Sequence, residues 1–228
     1  MLKKTTKTAL LSLLTIVWAA AMTSCGDKEE YSDEFTYYDV VIYNGNDAAD
    51  AVFATVDPAT GAKVNYTAPV SIDPEIVKPG ECIFLAYTIP DNRSPYQSGV
   101  ITPTGYSTMT NVKGEIVPLD EIEGWNTTPF YLLSYSSMYN RLIINAGIPY
   151  STTKRKLSVK VDETTLDNEM ATAYLYQKLD DTTPTFTREY QMAFDLSEIA
   201  NRLPGDRLKV MVNNSNLTFD SFIINLDK

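Results

Sequence analysis

Apolar and polar positions alternate with period two along much of the chain. Leu157, Val159 and Val161 alternate with Ser158 and Lys160, and Ala173, Leu175, Gln177 and Leu179 alternate with Tyr174, Tyr176 and Lys178. Tyr190, Met192 and Phe194 share a face in the same way. A spacing of two puts these residues on one side of a pleated strand, so each segment predicts a half-buried β-strand. Thr36–Tyr43, Ala51–Val56, Ala62–Ala68 and Cys82–Ile89 are also strand-like, being rich in Val, Ile, Thr and aromatic residues. The punctuation between them is turn chemistry. Asn44–Asp47 predicts a turn, and so does Asp57-Pro58-Ala59-Thr60-Gly61, where Pro presets φ and Gly tolerates positive φ. Polar Pro90–Pro95 predicts a loop, with short strands near Gly99–Thr102 and Glu115–Val117 closing the unit. About five short strands without a helix fit a small barrel.

The chain turns acidic and turn-rich around Pro118–Gly124, which predicts a domain boundary. Phe130–Tyr135 and Arg141–Ala146 open the second half as a strand pair. One helix interrupts the strands. Asp195-Leu196-Ser197-Glu198 has the form of a capping box, and Leu196, Ile199, Ala200 and Leu203 recur at helical spacing until Pro204-Gly205. Leu208–Val212 and Phe222–Leu226 follow, joined by the turn Asn213–Asn216. About seven strands make a two-sheet, immunoglobulin-like sandwich. The predicted fold class is all-β, with the small barrel over residues 36–118 and a β-sandwich with one short helix over 119–228.

The first residues follow a different pattern. Lys3, Lys4 and Lys7 precede an apolar stretch from Ala9 to Met22, 14 residues long and ending on small side chains. A bilayer-spanning helix needs roughly 20 apolar residues, so a signal peptide over residues 1–24 is the better match. The run ends in Met22-Thr23-Ser24-Cys25, which resembles a bacterial lipobox. Small side chains admit the extended backbone to the signal peptidase, and the Cys25 thiolate forms the thioether to diacylglycerol. Diacylglycerol plus an amide-linked acyl chain such as palmitate, at about 0.8 kcal/mol per buried CH₂, anchors a protein firmly. Residues 25–35 are charged and predict a solvated, lipidated tether. Within it Lys28-Glu29-Glu30 resembles the export signal of surface lipoproteins of Bacteroidota.

Composition narrows the chemistry. The precursor carries 19 Lys+Arg against 29 Asp+Glu. Three lysines leave with the signal peptide, so 16 basic residues remain against 29 acidic ones, a net charge of −13. Such a surface repels phosphate backbones and argues against nucleic-acid binding. With Cys25 lipidated, Cys82 has no partner for an intramolecular disulfide, and its apolar neighbours Ile83-Phe84-Leu85-Ala86 predict a buried thiol. The chain contains no His. Ser-His-Asp and Cys-His triads are therefore excluded, as are the usual zinc sites, while carboxylate-only chemistry stays open.

The layout resembles the NigD-like lipoproteins of Bacteroidota, through Thr23-Ser24-Cys25, the Trp125–Ile144 strand pair, Ala173-Tyr174-Leu175-Tyr176 and Phe194-Asp195-Leu196-Ser197. The resemblance implies an OB-like form for the barrel and an outer-membrane lipoprotein linked to bacteriocin immunity, and it brings no catalytic residue with it. Other candidate sites have plainer explanations. Asp195 and Glu198 serve a helix cap, and Asp47 with Asp50 and Asp180 with Asp181 lie in turns without the ligand alternation of a calcium loop. Asp181-Thr182-Thr183 resembles an O-glycosylation motif, with Thr182 the acceptor. Tyr131, Tyr135 and Tyr139, with Trp125 and Phe130, are the candidates for a sugar-stacking platform. The expectation is a non-enzymatic lipoprotein without catalytic residues, metal or cofactor beyond the lipid on Cys25. It would face the cell exterior from the outer membrane and bind a protein or glycan partner. The alternative is a carbohydrate-binding accessory lipoprotein of a polysaccharide-utilisation system.

Overall fold

The computed structural model describes residues 35–90, 93–122, 128–150, 155–179, 186–216 and 219–228. Six strands form the first sheet: β1 (Tyr37–Asp47), β2 (Asp50–Val56), β3 (Lys63–Ala68), β4 (Cys82–Thr88), β5 (Gly99–Val100) and β6 (Thr102–Thr108). Their order is β5-β3-β2-β1-β4-β6, and every pair is antiparallel except β3 with β5. The region expected to be a barrel is thus an open sheet, with β5 and β6 as its unjoined edges among the described residues. One face carries Val41, Tyr43, Phe53, Tyr66, Leu85 and Tyr87, and the loop residues Ile72, Val77, Ile89 and Ile101 complete that core. The other face carries Ile42, Ala54 and Cys82, which join a separate cluster with residues of the second half. Both faces are buried, which explains why Val40–Tyr43 is continuously apolar rather than alternating.

The remaining strands are β7 (Thr110–Lys113), β8 (Glu115–Val117), β9 (Tyr131–Met138), β10 (Arg141–Pro149), β11 (Lys156–Asp162), β12 (Ala171–Lys178), β13 (Thr187–Asp195), β14 (Arg207–Val212) and β15 (Ser221–Asn225). They form a four-stranded sheet β7-β13-β10-β9 and a five-stranded sheet β15-β14-β12-β11-β8. The single α-helix among the described residues, α1 (Ser197–Arg202), lies between β13 and β14. The two sheets share one core in which the alternating residues of β11, β12 and β13 face inward as their spacing predicts. Gln177 also points inward and is fully buried, with its amide Nε2 donating to the Pro129 carbonyl at 2.6 Å. Three pairs are parallel: β7 with β13, β8 with β11, and β12 with β14. The fold is all-β with one short helix, as expected, although an immunoglobulin pattern would be antiparallel throughout.

Two local expectations need correction. Asn44–Asp47 does not turn the chain but stays within β1, where a bulge between Tyr43 and Gly45 absorbs the extra residue. Gly45 takes a φ of 101° there, a conformation that glycine adopts at little cost. Asn46 pins the neighbouring loop, donating to the Ile72 carbonyl at 3.0 Å and accepting from the Ile72 amide at 3.2 Å. The reversal comes later, at Ala48. Glu115–Val117, expected to close the first unit, instead lies parallel to β11 in the sandwich. Gly114 permits this crossing. A Cβ there would lie 2.8 Å from both Leu196 Cδ2 and Ile199 Cδ1, so only glycine lets the chain pass this close to α1.

Candidate functional site

The first sheet is fastened to the sandwich by apolar packing and directed polar bonds. Ile42, Ala54 and Cys82 pack with Met138, Ile143 and Ala193 in a cluster between them. Beside it, Asn111 pairs with Cys82 much as a neighbouring strand would. Its Oδ1 accepts from the Cys82 amide at 2.8 Å, and its Nδ2 donates to the Cys82 carbonyl at 3.0 Å. Arg141 Nη1 donates to Asp195 Oδ1 at 2.7 Å and Ser197 Oγ at 2.6 Å, and Nη2 reaches the Gly80 carbonyl at 3.3 Å. Burial pushes the Cys82 thiol up to about 12, which keeps it protonated and unreactive at neutral pH.

A recess of about 410 Å³ opens along this junction, between Asp39, Thr55, Asp57 and Tyr96 on one side and Ser136, Ser137 and Met138 on the other. Strand alternation brings Asp39 to Tyr87: Asp39 is the third residue of β1, on the same face as Tyr37, and Tyr37 lies opposite Tyr87 of β4. The Asp39 carboxylate accepts from the Tyr87 hydroxyl at 2.6 Å and the Tyr96 hydroxyl at 2.8 Å. Tyr66 lies 3.3 Å from Tyr87, hydroxyl to hydroxyl, and accepts from the Tyr96 amide at 3.1 Å. Because Tyr87 already donates to Asp39, Tyr66 is the donor to Tyr87. Burial raises the Tyr87 and Tyr96 phenols well above the usual tyrosine range, and the hydrogen bonds to Asp39 raise them further. The second acid, Asp57, accepts from Thr60 Oγ1 at 2.6 Å and the Ala59 amide at 2.9 Å. Those bonds, the Thr60 hydroxyl first, hold its carboxyl below the usual range. Both carboxylates are therefore engaged in holding the fold, and the recess offers hydroxyls and apolar walls.

The residues singled out in the sequence fall into different places. Asp195 and Glu198 do not close the expected box. Asp195 accepts from the Ser197 amide at 2.9 Å and from Arg141, while Glu198 reaches out to Lys113 at 2.6 Å. The box fails because Asp195 ends β13, one residue too early to cap a helix that begins at Ser197. Asp47 and Asp50 face each other across the β1–β2 turn and are exposed. Among the described residues no group of three or more Cys, Asp or Glu side chains could hold a metal ion.

The aromatic candidates do not form one platform. Phe130 is fully buried, whereas Tyr131 is 49% exposed and Tyr135 41%. Tyr131 pairs with Gly147, and Tyr135 with the inward-facing Ile144. The bulge at Asn145/Ala146 between those two pairs turns Tyr131 and Tyr135 to opposite faces of the sheet. Tyr135 then stacks on Phe222 at 3.9 Å between centroids. Cys25, Lys28, Glu29, Glu30, Trp125, Asp180, Asp181 and Thr182 lie outside the described residues.

Sequence reasoning missed the Asp39, Tyr66, Tyr87 and Tyr96 cluster. One signal was available: Asp39 is the only acid inside the run Tyr37–Tyr43.

No protein-family model and no curated protein matches the sequence. Solved structures with the same fold do. A protein of unknown function (DUF1344) from Bacteroides vulgatus superposes with a TM-score of 0.61 at 14% identity, over 85% of this chain and 91% of that one. A candidate lipoprotein from Bacteroides fragilis gives 0.59 at 11% identity, over 85% and 99%. A NigD-like immunity protein from Bacteroides caccae gives 0.49 at 13% identity, over 85% and 92%.

Proposed function

We propose that the chain is a non-enzymatic envelope lipoprotein of NigD-like type. Cys25 carries its diacylglycerol and acyl chain, and the all-β body is held off the outer membrane to bind a macromolecular partner at the cell surface. The observation that carries this reading is Cys25 itself, placed directly behind the apolar run and ahead of an acidic tether. The fold supports it as a binding body, because the first sheet and the sandwich are locked together by the Arg141 and Asn111 bonds. A rigid body presents its surfaces already ordered, which lowers the entropic cost of association. Within the recess, Asp39 accepts from two tyrosine hydroxyls and Asp57 from Thr60, which supports reading these acids as parts of the framework. Bacteriocin immunity is the role that the NigD-like resemblance brings to the proposal.

Metabolic labelling with an alkyne palmitate analogue tests the anchor. The wild-type chain should incorporate label and fractionate with outer membranes, and Cys25→Ala should lose the label. An unlabelled wild-type chain with its leader intact would remove the proposal's foundation. Protease shaving of intact cells tests the orientation: cleavage without lysis is expected of a body facing outward.

A further inference from the structure

One side of the sandwich carries two strand edges that lack a backbone-paired neighbour over part of their length among the described residues, although Thr110 and Val112 of β7 stand across from that of β11. β8 pairs with β11 only at Lys160–Asp162, which leaves Lys156–Val159 bare on that side. β7 pairs with β13 only at Met192–Asp195, which leaves Thr187–Gln191 bare. The chain path is the cause. β7 must serve one sheet and β8 the other with only Gly114 between them, so neither is long enough to line a whole edge. Where the edges are bare the core is thinly covered, and Val112, Leu157 and Tyr190 are only partly buried.

A groove of about 510 Å³ runs along the free edge of β11. Arg155, Lys156, Lys160 and Lys178 line it against a single acid, Glu115. This basic concentration stands out on a chain of net charge −10. Lys156 and Lys178 sit directly opposite each other on neighbouring strands, a repulsive pairing that an anion between them would relieve. Side chains alternate along the edge. Lys156, Ser158 and Lys160 share the face away from Leu157 and Val159; Lys156 is exposed, Ser158 is buried, and Lys160 is half-buried with its Nζ donating to the Glu121 carbonyl at 3.3 Å.

We propose that the Lys156–Val159 edge receives an extended acidic segment of a partner polypeptide as an added strand. The inference rests on the binding-body reading above and supplies the chemistry of its partner. The free main-chain groups of β11 would pair with the incoming backbone. Acidic side chains on one face of that strand meet Lys156, Lys160 and Lys178, and apolar ones on the other meet Val112 and Leu157. Lysines on a bare edge also discourage indiscriminate strand pairing, so an acidic partner is the kind they admit.

Fluorescence anisotropy of the mature, lipidated protein in detergent tests the proposal, with a short peptide alternating glutamate and valine as the probe. Saturable binding is expected, weakened about tenfold or more by the exposed pair Lys156→Glu and Lys178→Glu. A peptide methylated on alternate amide nitrogens should bind far more weakly, because an added strand needs those donors. Hydrogen exchange should slow at Lys156–Val159 in the complex. Equal binding of the methylated peptide would reduce the contact to charge attraction and overturn strand addition. No peptide binding would also overturn it, and so would alginate binding in its place, which would assign the lysines to acidic sugars. Such a failure is distinguishable from failure of the function reading, since palmitate labelling of Cys25 would be unaffected.

Discussion

Asp39 accepts from two phenols, the buried Tyr87 and the half-buried Tyr96. Tyr87→Phe deletes one of its two phenol donors and should cost about 1–3 kcal/mol in urea unfolding. The same cluster gives a pH dependence of definite sign. In the unfolded chain the phenols ionise near their ordinary value of 10.0, whereas in the folded chain Tyr87 and Tyr96 hold their protons to higher pH. The unfolded state therefore releases protons first, and the stabilisation is complete below about pH 10 and lost as pH rises through the folded values. The urea midpoint should fall steadily above pH 10, less steeply in Tyr87→Phe. Cys82 should resist a thiol reagent at pH 8 in the native protein and react stoichiometrically in denaturant. The buried Cys82 was legible in the sequence, because its neighbours are apolar. The Asp39 bonds were not, because Tyr87 and Tyr96 lie 48 and 57 residues away, one brought in by the register of β4 against β1 and the other by the turn at Tyr96.

Most elements could be read from their own periodicity, because a two-residue repeat reports the face that is buried. The errors cluster where a bulge or a crossing breaks the repeat. Asn44-Gly45 has the composition of a turn, yet the residue at positive φ serves a bulge, and local sequence does not distinguish the two uses. The bulge between β9 and β10 likewise separates Tyr131 from Tyr135, which even spacing alone would have kept on one face. Gly114→Ala tests the crossing. Its Cβ must displace Leu196 and Ile199, and a loss of about 1–3 kcal/mol is expected in thermal or urea unfolding. Arg141→Met tests the fastening of the first sheet to the sandwich, since it deletes the bond to the Gly80 carbonyl and also leaves Asp195, its cross-strand neighbour, without a guanidinium partner; about 2 kcal/mol should be lost. Lys113→Ala, which removes an exposed, solvent-screened pair with Glu198, should leave the urea midpoint unchanged.

At the scale of the molecule, strand content was legible, whereas strand order was not. Parallel pairs between β7 and β13, and between β8 and β11, join segments far apart in sequence, and no local pattern announces them. Those pairings have a consequence for assembly. A polypeptide that emerges N-terminus first completes β1–β6 early, but β7 and β8 must wait for partners made much later. During that interval the backbone of Thr110–Val117 is without the strands it pairs with in the finished fold. Chains truncated after Lys178 should yield a protease-resistant core spanning Tyr37–Thr108, with cleavage from Thr110 onward. Only when Asp195 has emerged can the later half become resistant too.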